Sequence, residues 1–190
     1  MPLVASTTEI DALARRFARA AAATPSEFVR ARKSIARAAG TEAKRAAVAV
    51  YNLSQSRVAD DMRVIENATG VIVSGSKKTI SFLSYGFRQT RKGLAGRIKK
   101  KGKRAVFDGS FIGTGIGGGK VPFWRIGAKR IMKMGHNAGK RKQPLHSLHG
   151  PSVADMFKDS RVATPLRERI WERARRELTS RLNRLTRRAG

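Results

Sequence analysis

The chain has no cysteine, which excludes disulfides and thiolate metal sites. Acidic residues are scarce. There are 13 Asp and Glu against 41 Lys and Arg, a formal net charge of +28 over 190 residues. Small soluble domains usually carry a net charge of magnitude about 2–8. Aromatics make up only 6% of the residues, and the apolar content leans on alanine, which buries little surface per residue. A core is therefore expected, but a thin one. No apolar run approaches the about 18 residues that read as a bilayer-spanning helix. The opening MPLVASTTEID also lacks the basic region and apolar stretch of a secretory signal. The expectation is a protein made and used inside a cell, or packed into a particle assembled there.

A chain with this excess of positive charge repels itself unless a polyanion or an acidic partner lies beside it. Nucleic acid, an acidic protein assembly and an anionic membrane surface are the candidate partners, in that order. The length suggests one domain spanning residues 1–190 with appendages. Within it, periodicity marks a helical part at 1–66, a β-rich basic segment at 67–150 and C-terminal helices at 151–190.

In the first part, Ser6-Thr7-Thr8-Glu9 and Thr24-Pro25-Ser26-Glu27 both have capping-box spacing. The second is expected to start a new helix with Pro25 in the first turn, where its missing N–H costs nothing. Phe28, Ala31, Ile35 and Ala39 form one apolar stripe, and Ala43, Ala46, Val50 and Leu53 continue it beyond Gly40. Gly40 leaves a kink, a break or a continuous helix all open, since one helical Gly costs only about 1 kcal/mol relative to Ala. The basic face (Arg30, Arg32, Lys33, Arg37, Lys44, Arg45) is either a solvated surface or a contact for an acidic neighbour. Ser54 to Met62 reads as a further short helix with Val58 and Met62 inward.

From Asn67 the period shortens. Strand-like runs fall at 70–73, 79–83, 93–98, at Ala105–Phe107 with Phe111-Ile112, and at 121–126. Gly-rich or basic turns join them. The fold class expected is α+β: one small antiparallel β-sheet with packed N-terminal and C-terminal helices and long basic loops. At the C-terminal end, a short helix is expected from Val153 through Phe157. A longer one is expected from Thr164-Pro165, with Leu166, Ile170, Ala174, Leu178, Leu182 and Leu185 recurring along one face and Trp171 beside it.

Catalytic constellations are missing. Asp60 and Asp61 are adjacent carboxylates with no third ligand near, and successive helix residues do not face each other. The loop Gly113–Lys120 satisfies G-x-G-x-x-G at Gly113, Gly115 and Gly118. However, a strand rather than a helix follows it, and Thr114 and Val121 stand where a P-loop needs Gly and Ser or Thr. A hairpin tip that orders against a partner is the expected role. His136, His146 and His149 have no carboxylate or thiolate to complete a metal site. No catalytic residue, no metal and no cofactor is expected.

The charge concentrates in the middle. Between Asn67 and Gly150 there are nineteen Lys and Arg and one acid, Asp108. The candidate contacts to a polyanion are Arg91 and Lys92, then Lys99, Lys100, Lys101, Lys103 and Arg104, then Lys129, Arg130 and Lys133, then Lys140, Arg141 and Lys142. Cations on loops bind phosphates without reading sequence, and no helix-turn-helix, RNP or zinc-finger pattern is present.

Three motifs in order resemble the minor tail protein Z family of long-tailed, lambda-like phages, over about Ile35 to Phe157. They are Phe87-Arg88-Gln89-Thr90-Arg91-Lys92-Gly93, then Gly102-Lys103-Arg104-Ala105-Val106 leading to Gly109-Ser110-Phe111-Ile112, then His146-Ser147-Leu148-His149-Gly150-Pro151-Ser152-Val153 with Met156-Phe157. The family's short G-H turn is replaced here by Gly118-Gly119-Lys120-Val121-Pro122-Phe123-Trp124-Arg125, without the His. The resemblance implies a non-enzymatic virion protein, assembled in the host cytoplasm. It implies a tail-completion or head–tail joining component at the head-proximal end of the tail. The implied partners are further copies of itself in a hexameric ring, the tail terminator, tail tube and head–tail connector proteins, and phage DNA or the end of the tape-measure protein. No membrane and no small-molecule substrate is implied. Charge alone leaves a second reading open, a non-sequence-specific nucleic-acid-binding protein of ribosomal or chromatin-like type.

Overall fold

The computed structural model describes residues 7–67, 70–115, 117–133 and 138–189. It is an α+β protein. Helix α1 spans Thr7–Val50 and α2 Gln55–Asp60. The strands follow as β1 (Met62–Asn67), β2 (Gly70–Gly75), β3 (Ile80–Ser81), β4 (Arg88–Gln89), β5 (Gly93–Gly96), β6 (Ala105–Asp108), β7 (Phe111–Thr114) and β8 (Lys120–Arg125). Then come β9 (Arg130–Ile131), β10 (Arg141–Lys142), β11 (Leu145–Ser147) and β12 (His149–Gly150), and helices α3 (Val153–Lys158) and α4 (Ser160–Ala189). One turn of 3₁₀ helix, Phe82–Tyr85, follows β3. The strands do not form the expected single sheet. They form five small ladders: β1–β2, β10–β9, β11–β8–β7, β12–β3 and β4–β5–β6. The strands are two to six residues long.

Several boundaries differ from the sequence expectation. α1 runs unbroken through Pro25 and Gly40, so no new helix starts at Thr24. The lost hydrogen bond at Pro25 is carried by flanking Ala, Arg, Lys and Glu, all strong helix formers. Ser6 lies outside the described residues. Extended structure begins at Met62 rather than after Asn67, because Asp61 leaves the helical conformation and closes α2 by donating its N–H to the Ala59 carbonyl. Residues 105–112 are two strands in different ladders, turned apart at Gly109, whose φ of 72° is a left-handed value. α4 starts one turn before Thr164: the Asp159 carboxylate accepts from the Arg161 N–H at 3.1 Å, and the Asp159 carbonyl accepts from Val162 N–H at 2.8 Å.

The chain divides into two compact units. The first takes α1 as far as Ala43, residues Arg63–Val73 and α4 from Thr164 on. Its buried apolar side chains include Ala31, Ala39, Ala43 and Leu166, so polar pairing carries much of its specificity. Arg181 reaches Glu27 at 2.7 Å and Glu177 at 2.7 Å, Arg169 reaches Glu42 at 3.5 Å, and Arg32 reaches Glu66 at 3.6 Å. Part of the arginine excess thus consumes the chain's own few acids.

The second unit takes Lys44–Met62 and Ser74–Ala163. Its core holds Tyr51, Val58, Ile80, Phe82, Tyr85, Phe87, Leu94, Val153 and Met156. Phe82 stacks on Phe87 at 4.4 Å between ring centres, and Phe107 packs tilted on Phe82 at 5.1 Å. Trp124 meets Phe107 edge-on at 6.1 Å, a favoured geometry for two π-faces. The buried Tyr85 hydroxyl donates to the Pro151 carbonyl at 2.7 Å. Helix α3 starts on a complete capping box, in which Ser152 and Asp155 satisfy each other's backbone N–H groups.

Candidate polyanion-binding surface

The expected basic residues fall on three structures of the second unit. The first is the segment from Lys99 to Arg104. The end of α1 fixes it: Tyr51 bridges Lys99 in an isolated antiparallel pair, Asn52 N–H donates to the Ile98 carbonyl at 2.9 Å, and Lys100 N–H donates to the Val50 carbonyl at 2.9 Å. Gly102 closes the turn on Lys99 at 3.0 Å. Lys100, Lys101, Lys103 and Arg104 are exposed.

Lys99 has a different role from its neighbours. Its ammonium lies 2.9 Å from Asp159 Oδ2 and 5.4 Å from the centre of the Tyr51 ring. The Tyr51 hydroxyl donates to the same carboxylate oxygen at 2.9 Å, and Arg161 reaches it at 3.0 Å. Lys99 therefore ties the turn to the rest of the unit. The hydrogen bonds of Arg161 and Lys99 hold the Asp159 carboxyl far below the usual carboxylate range. Burial, then the hydrogen bond to Asp159, pushes the Tyr51 hydroxyl up to about 12. Both directions carry pH consequences. Asp159 has a depressed pKa, so its contribution is complete above the unfolded value near 3.8 and is lost as pH falls below it. Tyr51 has a raised pKa, so its contribution is complete below about 10 and is lost as pH rises towards about 12. Urea midpoints measured across pH are expected to fall at both ends, and Tyr51→Phe should remove the alkaline fall at this site while leaving the acid one.

The second structure is the β4–β5 hairpin. Its tip carries Arg91 and Lys92, both exposed, between Thr90 and Gly93, whose backbones exchange hydrogen bonds at 2.8 and 3.2 Å. The third is the β9–β10 arm. Lys129, Arg130, Lys133, Lys140, Arg141 and Lys142 are all exposed along it, with Arg141 opposite Ile131 and Lys142 opposite Arg130.

Two cations absent from the sequence-derived set complete a cluster. Arg88, Arg97, Lys100 and Arg104 line a concavity of about 430 Å³, with Asn52 and Gly96 among its other walls. Strand register assembles it. Arg88 pairs with Ala95, and Gly96 with Ala105, so Arg97 and Arg104 flank the next position and Arg97 lies on the diagonal from Arg88. Ala95 and Gly96 leave the space between the arginines open. Only the pairing of β4, β5 and β6 reveals the cluster, because the three arginines lie nine and seven residues apart in the chain.

The remaining sequence candidates have structural surroundings. Arg57 holds Asp61 at 2.7 Å and Asp60 at 3.8 Å. The Gly-rich segment is the tip of the β7–β8 hairpin, with Gly115 N–H donating to the Gly119 carbonyl at 2.8 Å. His146 and His149 are exposed on β11 and β12, His149 within 2.9 Å of the Ser147 hydroxyl. His136 lies outside the described residues. Among the described residues there is no group of three or more His, Asp or Glu placed to hold a metal ion, and no helix long and apolar enough to cross a membrane. Trp171 on α4 is 70% exposed. No family model, no curated protein and no solved structure matches this chain.

Proposed function

We propose that the chain is a structural component of a long-tailed phage virion, a tail-completion or head–tail joining protein. It acts as a ring, hexameric where the tail is sixfold, at the head-proximal end of the tail around the DNA passage. The observation that carries the reading is the convergence of the three tail-protein-like motifs in one packed unit. Phe87 of the first stacks on Phe82. Ser110 of the second accepts from the Leu94 N–H at 2.8 Å. Gly150 of the third lies so close to the Tyr85 ring that a β-carbon there would meet it at 2.6 Å. These residues help bind the unit to itself. The charge supports the same role. The second unit carries 24 Lys and Arg against five Asp, an imbalance that suits a surface facing DNA or acidic neighbours.

Deleting the gene from its phage is expected to yield filled heads and complete-length tails that do not join, counted by electron microscopy of the lysate. Normal infectious particles from the deletion would refute the role. The same arginine-rich concavity favours the second reading, a free-standing non-sequence-specific nucleic-acid-binding protein. Mass spectrometry of purified particles separates the two, since only the virion component is retained through purification in fixed stoichiometry.

A further inference from the structure

We infer that the concavity between Arg88, Arg97 and Arg104 is a seat for the phosphodiester backbone of duplex DNA. The inference deepens the proposed role by naming where the chain would touch the DNA. Four cations share one hollow, and none of them is ion-paired with an acid among the described residues. Elsewhere the chain spends its acids on its arginines, as at Glu27, Glu42 and Glu66. With 41 Lys and Arg against 13 acids many cations stay unpaired; what sets these four apart is that strand register gathers them around one hollow.

The hollow is also built rather than incidental. Its floor is held by the Asn52 side chain donating to the Tyr85 carbonyl at 2.6 Å and by the Asn52 N–H to the Ile98 carbonyl at 2.9 Å. Gly96 cannot carry a side chain, because a β-carbon there would stand 2.5 Å from the Phe87 ring. The fixed floor holds the backbone positions from which the arginines extend, which removes part of the ordering cost of binding.

The ligand class follows from spacing and chemistry. Arg88, Arg97 and Arg104 belong to three neighbouring strands or their ends, and strands lie about 4.8 Å apart. The row therefore crosses about 10 Å, against about 7 Å of axial length for three successive phosphates on one strand, a difference that long arginine side chains can close. Guanidinium forks match phosphate oxygens in pairs, and a continuous row of phosphates engages all three arginines, whereas a single carboxylate engages one.

The test is the salt dependence of binding of the full chain to a fluorescent duplex between about 50 and 200 mM salt. The triple variant Arg88→Gln, Arg97→Gln, Arg104→Gln is expected to reduce the slope of log affinity against log salt by about 2.7, at about 0.9 per phosphate contact. Lys140→Gln, Arg141→Gln, Lys142→Gln removes the same charge from the β9–β10 arm and is expected to change the slope by less than about one. Equal losses in the two variants, or no loss in the first, overturn the inference. So does a wild-type chain that binds no duplex, or a triple variant that keeps its DNA slope but no longer binds poly-glutamate, which would assign the hollow to an acidic protein. If the triple variant melts below the wild type, Arg88→Gln and Arg104→Gln singly are read instead, at about 0.9 each. Failure here leaves the deletion phenotype to decide the tail-joining role independently.

Discussion

Lys99→Glu is expected to destabilise the chain by about 3 kcal/mol, while Lys101→Glu, two residues away on the same turn, stays within about 0.5 kcal/mol. The two lysines look alike in the run Lys99-Lys100-Lys101. Lys101 is exposed, whereas Lys99 has Asp159 at 2.9 Å and the Tyr51 ring beneath it. The Asp159 side chain is only 12% exposed. A glutamate at position 99 would lose the attraction and set a second carboxylate against the first, in a site that is only partly buried. Arg161 offsets part of the repulsion from the far side. Lys99→Met, which keeps the apolar stem and removes the charge, should cost about half as much. Urea unfolding followed by Trp fluorescence reads all three variants. Equal midpoints for Lys99→Glu and Lys101→Glu would show that the Asp159 cluster does not hold the turn. For function the consequence is direct. Charge reversal meant to probe DNA contact belongs at Lys100 and Arg104, because at Lys99 it would unfold part of the unit and mimic a binding defect.

The second large effect is expected at Gly93. Gly93→Ala should cost more than about 3 kcal/mol, against about 1 kcal/mol for Gly109→Ala. Both glycines have positive φ, 147° and 72°. At Gly109 a β-carbon would meet nothing within 4 Å, so only the backbone preference is lost. At Gly93 it would overlap the carbonyl oxygen of Phe107, on the strand paired with it. That oxygen also accepts the Ser110 hydroxyl, which in turn accepts from the Leu94 N–H. The ladder must open to relieve the overlap, and β5 carries the floor of the arginine hollow. The same urea experiment checks the ranking; Gly93→Ala unfolding no earlier than Gly109→Ala would contradict the described β5–β6 contact.

Much of the helical framework was legible in the sequence. The Ala-rich stripe from Ala31 to Ala46, the short helix ending near Phe157 and the arginine-bearing C-terminal helix all follow from a period near 3.6 and from residue propensity. Their ends were less legible. Pro25 and Pro165 both lie inside helices, because a proline near favourable sequence is tolerated when the rest of a long helix remains. The strands were legible as runs but not as partners. Ala105–Phe107 and Phe111-Ile112 look like one interrupted strand, yet they pair with different neighbours. Strands of two residues, such as Arg88–Gln89 and His149–Gly150, carry no periodicity to detect.

What the sequence determined by itself was the charge, the absence of thiols, the helices and the basic character of the middle segment. These depend on composition and on spacing along one element. The tertiary structure decided which cations are free and which are used internally. Lys99 left the set of available cations because a residue sixty positions away supplies its counter-charge, and Arg88 and Arg97 entered the candidate site because β-strand register brought them beside Arg104. Neither fact is encoded in nearest neighbours, since ion pairing and cross-strand proximity depend on distances that only the folded chain sets.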